Sequence, residues 1–487
     1  MGLALGAAIR QRAVESPTRP AVTSFGRDGV ICSRTREELE KRTNRLARVY
    51  QDLGVGFGDM VTIALPNTIA FVEAALATWK LGAIPQPVSH RLPPPERQEI
   101  IDLADPALVV GGPPPPGGRR HLPEDVEPDD RFDATPLPDR IAPHRLAVTS
   151  GGSTGRPKLI LATRRGEMAP ADFVQMGSDG VVLIPGPLYH NGPLSNALDA
   201  VCTGNHLVIS PRFDADVTLA AVEEFRANWA FFVPTMMLRI WRLPDDVKNR
   251  HDLSSLRTIW HMGAPCPDWL KESWIQWIGA DRIYEMYTAT EALAGTSIRG
   301  DEWLTHRGSV GRVVFGEMKV VDTETGHDVP PGKIGEIYLR PPEGVPPTYQ
   351  YVGAEARTLP GGWESLGDMG AFDADGYLYL ADRMVDMILT GGANVYPAEV
   401  EAAILAHGGV ASCAVIGLPD DDLGNRVHAI VQPVSPAGLD VAELRAFLAG
   451  QVVGYKVPRS FEFVDQPLRD DAGKVRRAAL RAERLGS

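Results

Sequence analysis

The chain has 487 residues, with 49 Lys and Arg against 62 Asp and Glu, which gives a formal net charge of −13. Its composition, 44% hydrophobic and 23% charged, is typical of a folded globular protein and excludes disordered, collagen-like and disulfide-scaffold classes. One core is not expected at this length, so two or more domains are predicted. The acid excess argues against a nucleic-acid partner or an anionic membrane surface, because both require a cationic face.

The cysteines and the N-terminal residues indicate the cellular compartment in which the protein is expected. The four cysteines show no CxxC spacing, so we interpret them as reduced structural thiols in a cytoplasmic protein. The opening residues MGLALGAAIRQR have no cationic region before their apolar run, and no signal peptide is predicted. No window approaches about 20 uninterrupted apolar residues, so no membrane span is expected.

The first half of the chain alternates helical and strand patterns. Thr35 and Glu38 form a capping box that predicts a helix start, Gly54 marks its end, and Asn67 is predicted to cap a second helix over 69–81. Short apolar runs predict strands at 59–65, 107–110, 146–149, 181–184, 206–209, 229–233 and 258–261. This alternation indicates α/β layers around a mixed or parallel sheet.

A proline-rich surface loop is predicted over 111–143, within the first half. The sequence pattern changes from Gly308 onward, where short strands with glycine turns are predicted. A βαβ-like tail follows, so a boundary is predicted near Asp382, between a domain over 1–382 and one over 383–487. The predicted fold is α/β: a large N-terminal domain of layered α/β subdomains with a small β-barrel-like part, and a small α+β C-terminal domain.

The segment TSGGSTGRPK at 149–158 is the sharpest local feature. Its glycines let backbone N–H groups approach an anion, its hydroxyls add donors and Lys158 adds charge, a combination that favours phosphate binding. It is not a Walker loop, because Pro157 precedes Lys158. Taken alone, such a run is more often a flexible surface turn.

Six further segments follow the loop in order: PLYHNGP at 187–193, MGAP at 262–265, YTATE at 287–291, SLGD at 365–368, DRMVDMILTGGANVYPAEVE at 382–401 and AGKVRR at 472–477. With the loop, they resemble the adenylate-forming superfamily of acyl-CoA synthetases over nearly the whole chain. The resemblance implies an enzyme that uses ATP to form an acyl adenylate, releases pyrophosphate and then makes a coenzyme A thioester. It also implies a requirement for Mg²⁺ and a mobile C-terminal domain.

The resemblance assigns roles to individual residues. Lys474 matches the catalytic lysine that bridges the carboxylate and the α-phosphate, and Glu291 matches the Mg²⁺ ligand, with Thr290 beside it. His190 matches the residue that closes the thioester tunnel, and Gly391 and Gly392 match the glycine loop along which pantetheine enters. The residues implied in ATP or AMP binding are Ser150, Gly152, Ser153, Thr154, Gly155, Lys158, Gly263, Ala264, Pro265, Glu285, Met286, Tyr287, Asp368 and Arg383.

The acyl pocket is predicted to be apolar and roomy, because the segments expected to line it are rich in small residues. A weaker resemblance, to the bacterial branch that ligates coenzyme A to steroid, bile or terpenoid acids, predicts a bulky polycyclic acid. Asn191 stands where amino-acid-activating relatives place an Asp, so an amino-acid substrate is not expected. The candidate lining residues are Asn191, Gly192, Phe232, Met236, Gly263, Ala289 and Ala294.

Three positions depart from the family pattern. Gly151 replaces the first Ser of the phosphate loop, Thr288 replaces a Gly, and Val385 stands at the usual polar hinge position, which leaves open what absorbs the domain rotation. Two other functions also stay open: an acyl-AMP ligase that loads a carrier protein, and an idle nucleotide- or acyl-binding regulator on the same fold. The expected partners are a small carboxylic acid, ATP and coenzyme A, with a homodimer left open.

Overall fold

A computed structural model describes residues 2–128, 130–151, 157–168, 174–435, 438–470 and 473–486, with the backbone alone at 150–151. The helices in these ranges are α1 (Leu5–Glu15), α2 (Arg36–Asp52), α3 (Ile69–Lys80), α4 (Pro94–Ala104), α5 (Asn191–Cys202), α6 (Ala215–Phe225), α7 (Pro234–Trp241), α8 (Asp245–Asn249), α9 (Asp268–Ile278), α10 (Gly300–Trp303), α11 (Pro397–Leu405), α12 (Val441–Ala449) and α13 (Arg477–Leu485).

The strands of the first half are β1 (Pro20–Gly26), β2 (Gly29–Thr35), β3 (Met60–Ile63), β4 (Ile84–Pro87), β5 (Leu108–Val110), β6 (His121–Leu122), β7 (Ala147–Gly151), β8 (Pro157–Ala162), β9 (Val181–Ile184), β10 (His206–Ile209), β11 (Trp229–Phe232), β12 (Thr258–His261) and β13 (Ile283–Thr288). Those of the second half are β14 (Gly295–Arg299), β15 (Ser309–Phe315), β16 (Glu317–Val321), β17 (Gly335–Arg340), β18 (Tyr349–Val352), β19 (Arg357–Leu359), β20 (Trp363–Phe372), β21 (Leu378–Arg383), β22 (Ile388–Thr390), β23 (Ala393–Val395), β24 (Val410–Asp420), β25 (Gly424–Pro433) and β26 (Ser460–Phe463).

The first half folds around parallel strands. In the largest sheet the order β13-β12-β11-β9-β10-β1 is parallel throughout, and β2 closes the edge antiparallel to β1. Helices connect successive parallel strands, as such crossovers require. A separate four-stranded parallel sheet, β4-β3-β5-β6, forms another layer; its β6 lies inside the segment predicted as a surface loop.

The second half extends the same sheet with antiparallel strands. From β13 onward the path β14-β15-β21-β20-β17-β16 pairs antiparallel, with β19 added to β20. This extension is the part predicted to be barrel-like. Beyond it, the hairpin β22–β23, the sheet β24-β25-β26 and helices α11 to α13 form the small α+β part.

The two predicted helix starts had different outcomes. The capping box is confirmed: Glu38 N donates to Thr35 Oγ1 at 3.2 Å, and Thr35 N donates to Glu38 Oε2 at 2.8 Å. The prediction that Asn67 caps the second helix is wrong, because Thr68 occupies that position. Asn67 is buried and its side chain instead binds the backbone of Gly186, Leu188 and Ser210, tying together the loops that follow β9 and β10.

Side-chain burial matches this layout. The main core runs through both α/β layers, and a second cluster underlies the antiparallel extension. All four cysteines, which lie in the described ranges, are free thiols, as predicted. Among the described helices, none combines the length and the apolar composition that a membrane crossing requires.

Candidate active site

The candidate site lies beyond the carboxyl ends of the parallel strands. The segment with Gly263 follows β12, and the segment with Glu291 follows β13. Loops at this edge of a parallel sheet form the crevice in which α/β proteins bind ligands. Gly263 has a φ of 90°, in the left-handed region that glycine tolerates, so the chain turns directly after the strand.

Glu291, Tyr351 and Lys158 form the first polar group of the site. The Glu291 side chain is 7% exposed; its Oε1 accepts a hydrogen bond from the Tyr351 hydroxyl at 2.5 Å and lies 3.4 Å from Lys158 Nζ. That ammonium also lies 3.9 Å from the centre of the Tyr351 ring, a cation–π distance. Burial and the bond to Glu291 raise the pKa of Tyr351, which keeps its hydroxyl a donor.

Tyr351 was not among the site residues predicted from the sequence. Strand pairing explains why it lies beside Lys158 and Glu291. It lies on β18, which pairs antiparallel with β8 and sets Tyr351 opposite Ile160, near the start of the strand that carries Lys158. On the other edge of β8, Ser150 pairs with Lys158, so the two described ends of the predicted phosphate loop lie on adjacent antiparallel strands. The predicted residues Gly152, Ser153, Thr154 and Gly155 lie outside the described residues, as does the Ser150 side chain.

Asp368, Tyr287 and Arg383 form the second polar group. Tyr287 donates its hydroxyl to Asp368 Oδ2 at 2.7 Å, and Arg383 Nε lies 3.3 Å from Asp368 Oδ1. The antiparallel register of β20 and β21 sets Asp368 opposite Arg383. The Arg383 side chain is 60% exposed and that of Asp368 is 16% exposed, so the guanidinium is the more accessible member of the pair. Burial raises the pKa of Tyr287 well above its usual value, which keeps it protonated.

Lys474 reaches this group from the C-terminal part of the chain. Its backbone N–H donates to Asp470 Oδ1 at 2.9 Å. Desolvation lowers the pKa of Lys474; the charge of Arg383 adds to that shift, and Asp470 and Glu291 oppose it. The charges of Arg383 and Glu291 therefore influence Lys474, although both residues lie far from it in the sequence.

Three contacts hold the C-terminal part against the large domain. Gly473 packs so closely on Thr235 that a Cβ would lie 2.8 Å from Thr235 Cγ2. Arg476 forms an ion pair with Glu96 at 3.1 Å. Arg242 donates to the backbone oxygens of Ala411 at 3.0 Å and Leu405 at 3.2 Å.

The residues predicted to lie near the adenine differ in their solvent exposure. Gly263 and Pro265 are exposed and Ala264 is half-buried, whereas Met286 is buried. Glu285 is also buried, and Lys271 Nζ donates to its Oε2 at 2.5 Å. The Glu285 carboxylate is therefore committed to a core ion pair, a role that its prediction as a nucleotide ligand did not include.

Two of the predicted acyl-pocket residues, Gly192 and Phe232, lie on opposite sides of β11. Gly192 lies against the Phe231 ring, so close that a Cβ there would be 3.1 Å from Phe231 Cζ. Phe232 packs on Trp274 instead, with 5.6 Å between the ring centres. Because side chains alternate along a strand, Phe231 rather than Phe232 faces the α5 side.

The remaining pocket candidates are held in different ways. Met236 approaches Gly186 and is buried, Ala294 is fully buried, and Ala289 and Thr290 are half-buried. Asn191 Oδ1 accepts a hydrogen bond from Ser195 Oγ at 3.0 Å. His190 is the N-cap residue of α5, and its ring lies 4.6 Å from that of Tyr189.

Gly391 and Gly392 form the turn of the hairpin β22–β23. Their φ angles of 53° and 79° are both positive, as a two-residue hairpin turn of this kind requires. Both are exposed, and Gly391 N donates to Leu423 O at 3.0 Å, within the C-terminal part. Their assignment to coenzyme A stays a prediction.

Comparison with known proteins adds to this geometry. Residues 9–349 match the family described as AMP-binding enzyme, and residues 399–474 match the AMP-binding enzyme C-terminal domain. A feruloyl-CoA synthase of Amycolatopsis sp is 32% identical over 98% of each chain. The fatty acid–[acyl-carrier-protein] ligase ScoC of Streptomyces coeruleorubidus is 28% identical over 96% of this chain and 94% of its own. ATP-bound MatB of Rhodopseudomonas palustris superposes with a TM-score of 0.80 at 25% identity over 99% of each chain, which confirms the predicted fold class.

Proposed function

Because the chain belongs to the AMP-binding enzyme family and carries that family's C-terminal domain, we propose that it joins a bulky hydrophobic carboxylic acid to coenzyme A. It is an ATP-dependent acyl-CoA ligase of the adenylate-forming superfamily. The observation that carries the site proposal is the pairing of Lys158 with Glu291, in the segment that follows β13, the strand whose Tyr287 binds the Asp368–Arg383 pair.

The first step is formation of the acyl adenylate. A carboxylate oxygen of the acid attacks the α-phosphorus of ATP, and the bond to pyrophosphate breaks. Negative charge develops on the phosphoryl oxygens, so fixed cations lower the barrier. Lys474, Arg383 and Lys158 are the cations proposed for this task, and Asp368 is proposed to accept hydrogen bonds from the ribose hydroxyls.

The residues around Glu291 suit Mg²⁺. This ion prefers hard oxygen ligands and is usually held by one or two carboxylates together with substrate phosphates. Glu291 offers a buried carboxylate beside Lys158, the cation at the end of the predicted phosphate loop. Bound Mg²⁺ would neutralise charge on the phosphates, while Tyr351 orients the Glu291 carboxylate.

The second step needs a domain rearrangement. In it the thiol of coenzyme A attacks the acyl carbonyl, the bond to AMP breaks and the thioester forms. We propose that Gly391 and Gly392 then enter the crevice, which requires the contacts Arg476–Glu96 and Gly473–Thr235 to open.

The proposed domains are 1–382 and 383–487, and the proposed hinge lies directly after the boundary between them. The ladder of the large domain continues through Arg383 on β21, and a short 3₁₀ turn, Met384–Asp386, follows. Val385 in that turn is 67% exposed, so its side chain lies outside the core. We propose that this turn absorbs the rotation without a polar side chain at position 385.

The acid is proposed to be bulky and to contain rings. Small residues at Gly263 and Ala289, and the similarity to a feruloyl-CoA synthase, support a ring-bearing substrate. The test is thioester formation measured across acetate, benzoate, ferulate, a long straight-chain acid and bulky polycyclic acids. The highest kcat/KM for a polycyclic acid supports the proposal, whereas preference for acetate, benzoate or the straight chain contradicts it. A preference for ferulate would assign a single-ring acid instead.

Carrier-protein loading is the second candidate, because ScoC is also similar over nearly the whole chain. Acyl transfer to coenzyme A in the absence of any carrier protein supports the first candidate. Transfer to phosphopantetheinylated carrier protein alone supports the second. Absence of acid-dependent pyrophosphate release with every acid tested would favour the idle regulator. A cytoplasmic location belongs to the same proposal and is tested by cell fractionation.

A further inference from the structure

The buried carboxylate of Glu401 sits at the centre of the C-terminal part, outside the reaction site. Glu401 lies on α11 and is 4% exposed. Its Oε2 accepts a hydrogen bond from Arg469 Nη2 at 2.6 Å. Its Oε1 accepts from Arg477 Nη2 at 2.9 Å and from Val415 N at 2.9 Å. One carboxylate therefore anchors two arginines.

These two arginines bracket the segment that presents Lys474. Arg469 Nη1 donates to Gly473 O at 3.0 Å, directly before Lys474. Within the segment, Asp470 N donates to Lys474 O at 3.0 Å, and Lys474 N donates back to Asp470 Oδ1 at 2.9 Å. Arg477, on the other side, begins α13. Both ends of the Lys474 segment are thus fixed to the same buried charge.

Arg477 extends the connection to the proposed hinge. Its Nη1 donates to Asp386 Oδ2 at 3.0 Å, in the turn Met384–Asp386. The hinge turn, α11 and the start of α13 are therefore joined through one guanidinium. We call Glu401, Arg469 and Arg477 the lysine-loop clamp.

We propose that Glu401 is a positioning residue for adenylation, which holds Lys474 in register with the reacting phosphate through Arg469 and Arg477. The proposal rests on the role of Lys474 in the proposed function. Displacement of a catalytic group by about 1 Å can cost on the order of 100-fold in rate. A buried carboxylate with two guanidinium partners provides charge-assisted bonds that resist such displacement.

A merely structural role makes a different prediction. The hairpin with Gly391 and Gly392, proposed for the thioester step, belongs to the same C-terminal part. Loss of that part's fold would therefore impair both half-reactions. A positioning role impairs adenylation alone, because thioester formation from supplied acyl-AMP does not use Lys474.

The test variant is Glu401→Gln. It keeps the side-chain shape but removes the negative charge and replaces one acceptor oxygen with an NH₂ donor facing the guanidinium of Arg469 or Arg477. Glu462→Gln is the matched control, because Glu462 binds Arg484 Nε at 2.7 Å and Nη2 at 2.8 Å in the same part of the chain, and this guanidinium does not belong to the lysine-loop clamp. For Glu401→Gln we expect kcat of acid-dependent ATP–pyrophosphate exchange to fall at least 10-fold, with KM for ATP within 3-fold. Thioester formation from supplied acyl-AMP should stay within 3-fold, and Glu462→Gln should retain both half-reactions.

Hydrogen–deuterium exchange at the Lys474 amide supplies a readout independent of activity. We expect faster exchange in Glu401→Gln and unchanged exchange in Glu462→Gln. Unchanged exchange in Glu401→Gln, equal loss of both half-reactions, or the same adenylation loss in the control would overturn the clamp. A wild-type enzyme that shows no adenylation would overturn the proposed function instead, while the exchange result would still decide the clamp.

Discussion

Tyr351 donates its hydroxyl to Glu291 at 2.5 Å, so the candidate metal ligand has a fixed orientation before any ligand binds. The same ring lies 3.9 Å from the Lys158 ammonium. One edge-strand residue thus orients the carboxylate proposed for Mg²⁺ and the cation proposed for the phosphates.

Replacement of Tyr351 by Phe removes the hydroxyl and keeps the ring. Hydrogen bonds to charged groups contribute about 1.5–3 kcal/mol, so we expect KM for Mg·ATP to rise about 10-fold, with a smaller change in kcat. Calorimetric titration with Mg·ATP and steady-state pyrophosphate release measure the effect. Tyr349→Phe on the same strand is the control, because the Tyr349 hydroxyl bonds to Glu364 rather than Glu291. Equal changes in both variants would contradict the orienting role.

The lowered pKa of Lys474 predicts an alkaline limit to adenylation. The ammonium form stabilises the phosphoryl oxygens, and desolvation moves its pKa below the ordinary 10.5. Adenylation should therefore be at full rate below the lowered pKa and decline as pH rises through it. Pyrophosphate exchange between pH 7 and 10.5 measures this profile. Lys474→Arg should be slower and lack the decline, because arginine stays charged; the same decline in that variant would assign it to another group.

Replacement of Gly473 by Ala should impair adenylation and leave thioester formation unaffected. Alanine at a φ of +79° is strained, and its Cβ would meet Thr235 Cγ2 at 2.8 Å. Since this contact joins the two domains, Gly473→Ala should reduce adenylation at least 10-fold and spare thioester formation from acyl-AMP. Gly486→Ala is the matched control, with a φ of +74° and no atom within 4 Å of the added Cβ among the described residues. A comparable adenylation defect in the control would attribute the effect to backbone strain alone.

The sequence was sufficient where interactions are local. Thr35 and Glu38 cap a helix through groups only three residues apart, and the predicted bounds of β9, β10 and β12 equal those in the structure. Asn67 carried the same kind of local signal, yet its amide binds loops far along the chain. A capping pattern in the sequence shows that a side chain can form hydrogen bonds with the backbone. Which backbone groups it binds depends on which strands and loops become its neighbours in the fold.

The same limit applies to the site. Lys474, Asp368 and Glu291 were found because their motifs are recognisable by type and order. Tyr351 lies outside these motifs, and Glu401 ends the segment 382–401 without a role assigned to it. Their roles come from strand pairing with β8 and from hydrogen bonds to the arginines around the Lys474 segment. Phe231 and Phe232 are adjacent apolar residues that the sequence does not distinguish. In the structure they point to opposite sides of β11, where Phe231 contacts Gly192 and Phe232 contacts Trp274.

His261 predicts how stability depends on pH. It is fully buried at the end of β12, and within the described part of the chain neither ring nitrogen has a hydrogen-bond partner. Desolvation lowers its pKa from 6.5 to about 4. The unfolded chain therefore takes up a proton at a higher pH than the folded chain does, so the contribution of neutral His261 to stability is complete above pH 6.5. That contribution is lost as pH falls towards 4, at roughly 1.4 kcal/mol for each unit of pKa difference.

Urea unfolding of the wild type and His261→Gln between pH 4 and 7.5 tests this dependence. Glutamine cannot take up a proton, so its free energy of unfolding should fall less steeply with acidification, even if the variant is less stable at neutral pH. His206→Gln supplies a comparison, because burial also lowers the pKa of His206 to about 4 while its ring retains a bond to Thr23. Removing either histidine should reduce the slope. An unchanged slope in His261→Gln would mean that His261 keeps a similar pKa in the folded and unfolded chains, and that the acid-sensitive group lies elsewhere in the core.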